Sequence, residues 1–302
     1  MKALFVDCIP DMASIFAEVG LPGDPSIDLN TAPFDPDTIP ELLAGYQICI
    51  DDHSFFPAAI LERCKDLKHI VFLGTGAASY IDLDAAARLG ITVSTIKGYG
   101  DIAVAEHTMA LLMAAARGIA RMDGEIRAGV WQTYEGFQLT GKTIGLVGFG
   151  GIGREMARLA GGIGMKVLAW NRSPVPDAPV PMVSLEEVLS TSHVVSLHLA
   201  LNDATRGMIG KAQFASMRPG VIFVNTARAA VVDEAAMLEN LRSGHVSHAA
   251  LDVFHDEPLK PGNPYQTIPN VTITSHSGFR TPEATMTLLR RGIDIAIEKM
   301  RG

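Results

Sequence analysis

Cysteine is scarce. The chain has three in 302 residues (Cys8, Cys49, Cys64) and no CxxC spacing, which excludes a disulfide framework and a cysteine-built zinc site. Cys8 and Cys49 fall in strand-like runs and read as buried thiols in a reducing compartment. No apolar run is long enough to cross a bilayer, and the most apolar helix candidate, "HTMALLMAAARGIA", is cut by Arg117. The opening "MKALFVDCIP" does not sustain a signal peptide, because Asp7 interrupts it after four apolar residues. A soluble, cytoplasmic chain without a membrane partner is the expectation. Positive charge is also missing from the start: residues 1–60 hold ten Asp or Glu and one Lys, within a net charge of −8. An acidic face of this kind repels nucleic acid. A metal site is not expected either. His245 and His248 have H-x-x-H spacing and His255-Asp256 follow, but nothing completes a tetrahedral set.

What is abundant is apolar, β-rich sequence, and 48% of the residues are hydrophobic. That supplies a large core and length for two domains. Short apolar runs ("ALFVDC", "QICI", "HIVFLG", "ITVST", "TIGLVGF", "KVLAW", "VVSLHL", "VIFVNTA", "HAALDVF", "VTITS") alternate with helical patterns near 11–19, 57–65, 82–89, 101–127, 152–163, 233–243 and 281–300. This alternation predicts an α/β fold of parallel sheets covered by helices on both faces. Asp101 is positioned to cap the long helix. The segment "VWQTYEGFQLTGK" lacks helical pattern and precedes the strand starting at Thr143. The expected lobes are residues 1–99 with 282–302, and residues 100–281.

One segment carries a specific chemistry. Gly148-Phe149-Gly150-Gly151-Ile152-Gly153 fits G-x-G-x-x-G, directly after an apolar strand and at the start of a helix. Gly148 permits the tight turn, Gly150 lets backbone approach a pyrophosphate, and Gly153 allows close helix–strand packing. The helix N-terminus then offers free N–H groups to the anion. A second cluster, Gly161-Gly162-Ile163-Gly164, lies where that helix ends, so capping explains it. At the end of the next strand, where a dinucleotide fold places an acid that bonds the ribose 2′-hydroxyl, the chain reads Asn171-Arg172-Ser173. An acid repels a 2′-phosphate, whereas a guanidinium forks onto one. NADP(H) is therefore favoured over NAD(H), with Asn171 and Ser173 as additional donors. The plainer alternative is that Arg172 stacks on adenine.

Downstream, "NTARAAVVDEAAMLENLRSGHVSHAALDVFHDEP" and "ITSHSGFRTPEA", taken with "VAEHTMALLMAAAR" and the glycine turn, resemble the D-isomer-specific 2-hydroxyacid dehydrogenases over nearly the whole chain. The resemblance implies two Rossmann-like lobes with the active site in the cleft between them, and a homodimer joined through the dinucleotide lobe. It assigns Arg228 to the substrate carboxylate and carbonyl, His276 to acid–base catalysis and Glu257 to partnering that histidine. The set suits reduction of a 2-oxoacid. An imidazolium gives a proton near neutral pH, a carboxylate favours its charged form, and a guanidinium fork matches a planar carboxylate. Singly, each has an ordinary reading as a surface ion pair, a satisfied polar residue or a turn residue.

The resemblance also points to Thr226 and Ala227 on a strand-end loop, Asp252 facing the nicotinamide amide, and His198 over the adenine side. The chain departs from the family at Ala200 and Ser275, where a proline is usual. In the first lobe, "LGTGAASYIDL" resembles the loop whose amides meet the substrate carboxylate, making Thr75, Gly76 and Ala77 candidates. "KGYGDIAVAEH" suggests that Tyr99 and Asp101 shape the pocket, and Arg280 is placed to reach a second anionic group or simply solvent. The function implied is NADPH-dependent reduction of a small 2-oxoacid, such as glyoxylate or hydroxypyruvate, to the D-2-hydroxyacid. An NAD-dependent oxidant of D-glycerate and a dinucleotide-sensing corepressor are the alternatives.

Overall fold

Runs of Ile, Val, Leu and Phe bounded by polar turns build two separate sheets in which every pairing is parallel. In this computed structural model, which describes residues 1–301, the chain divides into Met1–Gly100 with the segment from Thr281 onward, and Asp101–Arg280.

The first unit runs β1 (Ala3–Phe5), α1 (Pro10–Val19), β2 (Asp28–Leu29), α2 (Ile39–Leu42), β3 (Ile48–Asp51), α3 (Ala58–Leu61), β4 (His69–Phe72), α4 (Leu83–Arg88) and β5 (Thr92–Thr95). Its sheet has the order β2-β1-β3-β4-β5. The two-residue period of a strand sends Cys49, Ile70 and Phe72 into one core with Ile60, Leu61 and Ala85. Ile48, Ile50 and Val71 go to the opposite face, where they meet Leu288, Leu289 and Ala296 of the final helix.

The second unit runs α5 (Asp101–Arg117), α6 (Ile119–Arg127), β6 (Thr143–Val147), α7 (Gly151–Gly162), β7 (Lys166–Trp170), α8 (Leu185–Thr191), β8 (Val194–Leu197), α9 (Lys211–Ser216), β9 (Val221–Asn225), α10 (Glu234–Ser243), β10 (Val246–Leu251) and β11 (Val271–Ile273). The chain then returns to the first unit as α11 (Pro282–Arg301). The second sheet has the order β11-β10-β9-β8-β6-β7. Ile144, Leu146, Val194 and Ile222 pack under α5 and α7, and Val195, Leu197 and Phe223 pack against α8–α10 on the other face.

Two features differ from the sequence expectation. The helix expected over 101–127 breaks at Gly118, whose φ of 61° is left-handed, and the two halves bend by 65°. Glycine takes that conformation without the Cβ penalty other residues meet. β2, α2, α8 and α9 are additional elements, the longest of them seven residues. In the second sheet the strand order reverses between β6 and β8, so the glycine turn after β6 lies where open α/β sheets take ligands.

Candidate active site

Because all six strands of the second sheet run the same way, the loops after them line one edge in the spatial order β7, β6, β8, β9, β10, β11. That order places the candidates in a row: Asn171–Ser173, then Gly148–Gly153, His198, Thr226–Arg228, Asp252 with Glu257, and His276. Residues up to 128 positions apart in the chain are thus assembled by strand pairing alone.

At the glycine turn each position has a distinct constraint. Gly148 has φ 102°, and a Cβ there would strike the His198 carbonyl. A Cβ on Gly153 would lie 2.5 Å from the Gly148 oxygen, whereas one on Gly150 would meet nothing within 4 Å. The face of Gly150 is thus an open cradle beside the α7 N-terminus, and it fits a pyrophosphate approached by backbone. Gly151 is glycine for another reason: the Asp101 carboxylate packs against it, so Asp101 is a helical residue contacting the turn. Ile152 packs partly buried against the α5–α7 core. At the far end of α7, Gly164 has φ 83° and its amide bonds back to Gly161. That is a helix stop.

At the neighbouring strand end, Asn171 is committed to the protein. Its Oδ1 accepts the Phe149 amide at 3.1 Å and its Nδ2 donates to the Ser173 carbonyl at 2.9 Å. It ties the β7 loop to the glycine turn, leaving one N–H for any ligand. Arg172 and Ser173 are exposed. His198 holds the Ser196 hydroxyl at 3.0 Å through Nε2, while its Nδ1 is buried without a partner. Burial pushes its pKa down to about 4, so the ring is neutral at pH 7.

Arg228 follows β9 on a loop set by Asn225, a buried residue that motif reading missed. The Asn225 carboxamide accepts the Ala227 amide at 3.0 Å and donates to the Arg228 carbonyl at 3.1 Å. Its only early signal is a polar residue ending the apolar strand "VIFVN". Thr226 is buried and shares a 2.7 Å bond with Thr108 of α5. The Glu257 carboxylate is divided: Oε1 accepts the Phe254 amide at 2.8 Å, and Oε2 lies 2.7 Å from His276 Nδ1. Burial pushes this carboxyl up, but the His276 and Phe254 hydrogen bonds and the Arg228 charge outweigh it and hold its pKa below the usual range. Glu257 is an anion at neutral pH. His276 has φ 51°, the one non-glycine residue with positive φ among the described residues. A left-handed non-glycine residue costs on the order of 1–2 kcal/mol and persists only where its surroundings enforce it.

Asp252 supplies much of that enforcement. It is 1% exposed. Its Oδ1 takes the Thr274 hydroxyl at 2.6 Å and the Ser277 amide at 3.0 Å, and its Oδ2 takes the Gly278 amide at 3.0 Å. Although burial alone would raise the pKa, hydrogen bonds from His107, Thr274, Ser277 and Gly278 lower it to about 2. The residue expected to face a nicotinamide amide is therefore bound to the loop that carries His276.

The remaining candidates lie in the first unit or on the surface. Thr75, Gly76 and Ala77 follow β4 at its C-terminal end, with Ala77 buried and Gly76 opening a single 3₁₀ turn over Ala77–Ser79. Tyr99 packs on the core beneath α11. Arg280 is exposed, its amide bonded to the Ser277 carbonyl. At the ends of β1 and β3, Asp7 accepts the Asp52 and His53 amides at 2.9 Å and the Ser54 hydroxyl at 2.7 Å. Asp51 is fully buried, and desolvation with the Asp7 charge raises its pKa well above the carboxylate range. The histidines of the H-x-x-H pair serve the fold: His245 Nε2 meets the Phe214 carbonyl and His248 Nε2 the Thr272 hydroxyl.

Residues 109–278 match the family described as "D-isomer specific 2-hydroxyacid dehydrogenase, NAD binding domain". A hydroxypyruvate reductase of Thermotoga maritima is 40% identical over 250 residues, covering 80% of this chain and 79% of that protein. A D-3-phosphoglycerate dehydrogenase of Archaeoglobus fulgidus is 38% identical over 235 residues, and the match takes in 76% of this chain but 44% of that longer protein. Among solved structures, the acyclic imino acid reductase Bsp5 in complex with NADPH and D-Arg superposes with a TM-score of 0.84 at 26% identity, over 100% of this chain and 97% of that one.

Proposed function

From the premise that the chain belongs to the D-isomer-specific 2-hydroxyacid dehydrogenase family, we propose that it is an NADPH-preferring reductase of small, unphosphorylated 2-oxoacids of the glyoxylate or hydroxypyruvate type, giving the D-2-hydroxyacid. The observation that carries this reading is the 2.7 Å contact between His276 Nδ1 and Glu257 Oε2, on the same sheet edge as the glycine turn.

The residues divide the work by chemistry. Glu257 accepts a hydrogen bond from His276 Nδ1–H, which leaves Nε2 as the atom that delivers a proton to the substrate oxygen. Arg228, held by Asn225, presents a two-pronged donor to the substrate carboxylate and draws charge toward the developing alkoxide. A bound reduced nicotinamide supplies the hydride that reaches the carbonyl carbon. On this reading the adenosine end lies by Arg172 and the reacting end toward β9–β11, an orientation that the strand order supports. The amides of Thr75–Ala77 are offered to the substrate carboxylate, and Asp7 and Asp52 at the β1 and β3 ends disfavour a phosphorylated substrate.

Exposed Arg172 in place of the ribose acid supports the phosphorylated cofactor, as does the NADPH bound by Bsp5. A second copy of the chain is the partner we assign to α6 and the segment after it. That helix has no buried residue, and Ile119, Ile126, Val130 and Trp131 are each at least half exposed. The three free, buried cysteines support a reducing compartment, the cytoplasm, and no single helix is long and apolar enough to cross a membrane. The deciding experiment follows oxidation of NADPH and NADH by the purified protein against a panel of 2-oxoacids. Faster turnover with NADPH on small unphosphorylated acids is expected, and no turnover on any of them rejects the reading.

A further inference from the structure

The loop 274–278 makes the acid–base histidine its apex, and the groups that fix it come from a helix far away in sequence. The His107 ring on α5 places Nε2 2.9 Å from the Thr274 hydroxyl and 3.3 Å from Asp252 Oδ1. Since Thr274 gives its own proton to Asp252, its oxygen is the acceptor for His107, and the imidazole presents Nε2–H. The chain of bonds therefore runs His107 to Thr274 to Asp252, and from Asp252 to the amides of Ser277 and Gly278. These contacts flank His276 on both sides, at two residues before and at one and two after. Gly278 admits the close approach: a Cβ there would lie 3.2 Å from Asp252 Oδ2 and 3.4 Å from the His107 ring.

We propose that His107 is a positioning residue for His276, acting through Thr274 and Asp252 to hold the strained loop that presents the proton donor. The geometry gives the reason. A backbone at φ 51° relaxes unless the amides after it are held, and Asp252 holds two of them. The carboxylate keeps its orientation because Thr274 occupies Oδ1, and Thr274 keeps its rotamer because His107 donates to it. Losing the outermost donor loosens each link in turn, and with it the register of His276 against Glu257 and Arg228. His107 touches neither substrate nor cofactor in this role, so its loss acts on the rate rather than on cofactor binding.

The inference rests on the proposed reductase activity, and its test separates the two. In His107→Leu, kcat for oxoacid reduction falls by about tenfold, the worth of one lost hydrogen bond, while the dissociation constant for NADPH stays at the wild-type value. His107→Gln, which returns an N–H at a similar reach, recovers most of the rate. Thr274→Val, close to isosteric, breaks the same link without a cavity and gives the same loss, and combining it with His107→Leu adds little. Hydrogen exchange at the Ser277 and Gly278 amides speeds up in both single variants. A Leu variant with wild-type kcat overturns the inference, as does a lowered kcat that Gln fails to recover. Should wild-type protein reduce no 2-oxoacid, the activity reading falls alone. The exchange rates then decide: unchanged protection at Ser277 and Gly278 in His107→Leu overturns the positioning role, and faster exchange sustains it.

Discussion

Glu257 Oε2 sits 2.7 Å from His276 Nδ1, while the other oxygen of the same carboxylate accepts the Phe254 amide. The anion is thus held from one side and spends its charge on the other. Replacing Glu257 with Gln keeps the size and the Phe254 contact but removes the charge that favours the imidazolium. We expect kcat to fall by roughly tenfold to a hundredfold, the range of one charge-assisted hydrogen bond. Steady-state kinetics of wild type and variant check this, and an unchanged kcat removes Glu257 from catalysis.

Arg172 is the exposed cation at the end of β7. Arg172→Asp restores an acid to the position that bonds a ribose hydroxyl and repels a phosphate. The ratio of kcat/KM for NADPH over NADH should drop by at least about tenfold. Equal ratios in wild type and variant show that the guanidinium does not read the phosphate.

Trp131 is 84% exposed, beyond a helix that buries none of its residues. If a second copy covers it, light scattering of the wild-type protein reports twice the chain mass of 32.2 kDa. Trp131→Glu shifts the population toward the single-chain mass. A wild-type protein that stays at the single-chain mass at high concentration rules out the covered face.

Asp252 also gives the acid limit of stability. Its pKa of about 2 lies below the unfolded value of 3.8. The carboxylate therefore stabilises the fold fully above pH 4, and that contribution disappears as the pH falls toward 2. The shift corresponds to about 2 kcal/mol. Denaturant unfolding of Asp252→Asn at pH 7 should show a loss of at least this size, and the gap to wild type should narrow between pH 4 and 2. A gap independent of pH assigns the effect to shape rather than charge.

Much of this site is visible in one dimension because its constraints are local. Gly148, Gly150 and Gly153 each answer a separate steric demand within six residues, and the strand–turn–helix order exposes them. The Arg228, Glu257, His276 order is equally legible, since each follows its own apolar strand. What is hidden depends on pairing. His107 and Thr274 are 167 residues apart and meet because α5 lies against β10 and β11. The use of Asn171 as a strap between the β7 loop and the glycine turn requires knowing that β6 and β7 are neighbours. Gly118 sat inside an apolar helical pattern, where glycine costs about 1 kcal/mol and is commonly tolerated, so its left-handed break was not readable. Short elements such as α9 and the two-residue β2 carry too few positions to show a period.

The left-handed backbone at 276 also limits what directed evolution can do there. Side chains branched at Cβ, such as valine, isoleucine and threonine, are shut out by sterics before their chemistry is ever sampled, whereas asparagine, aspartate and glycine enter freely. A saturation library at this codon will therefore sort its folded members by torsional tolerance first and by proton chemistry second.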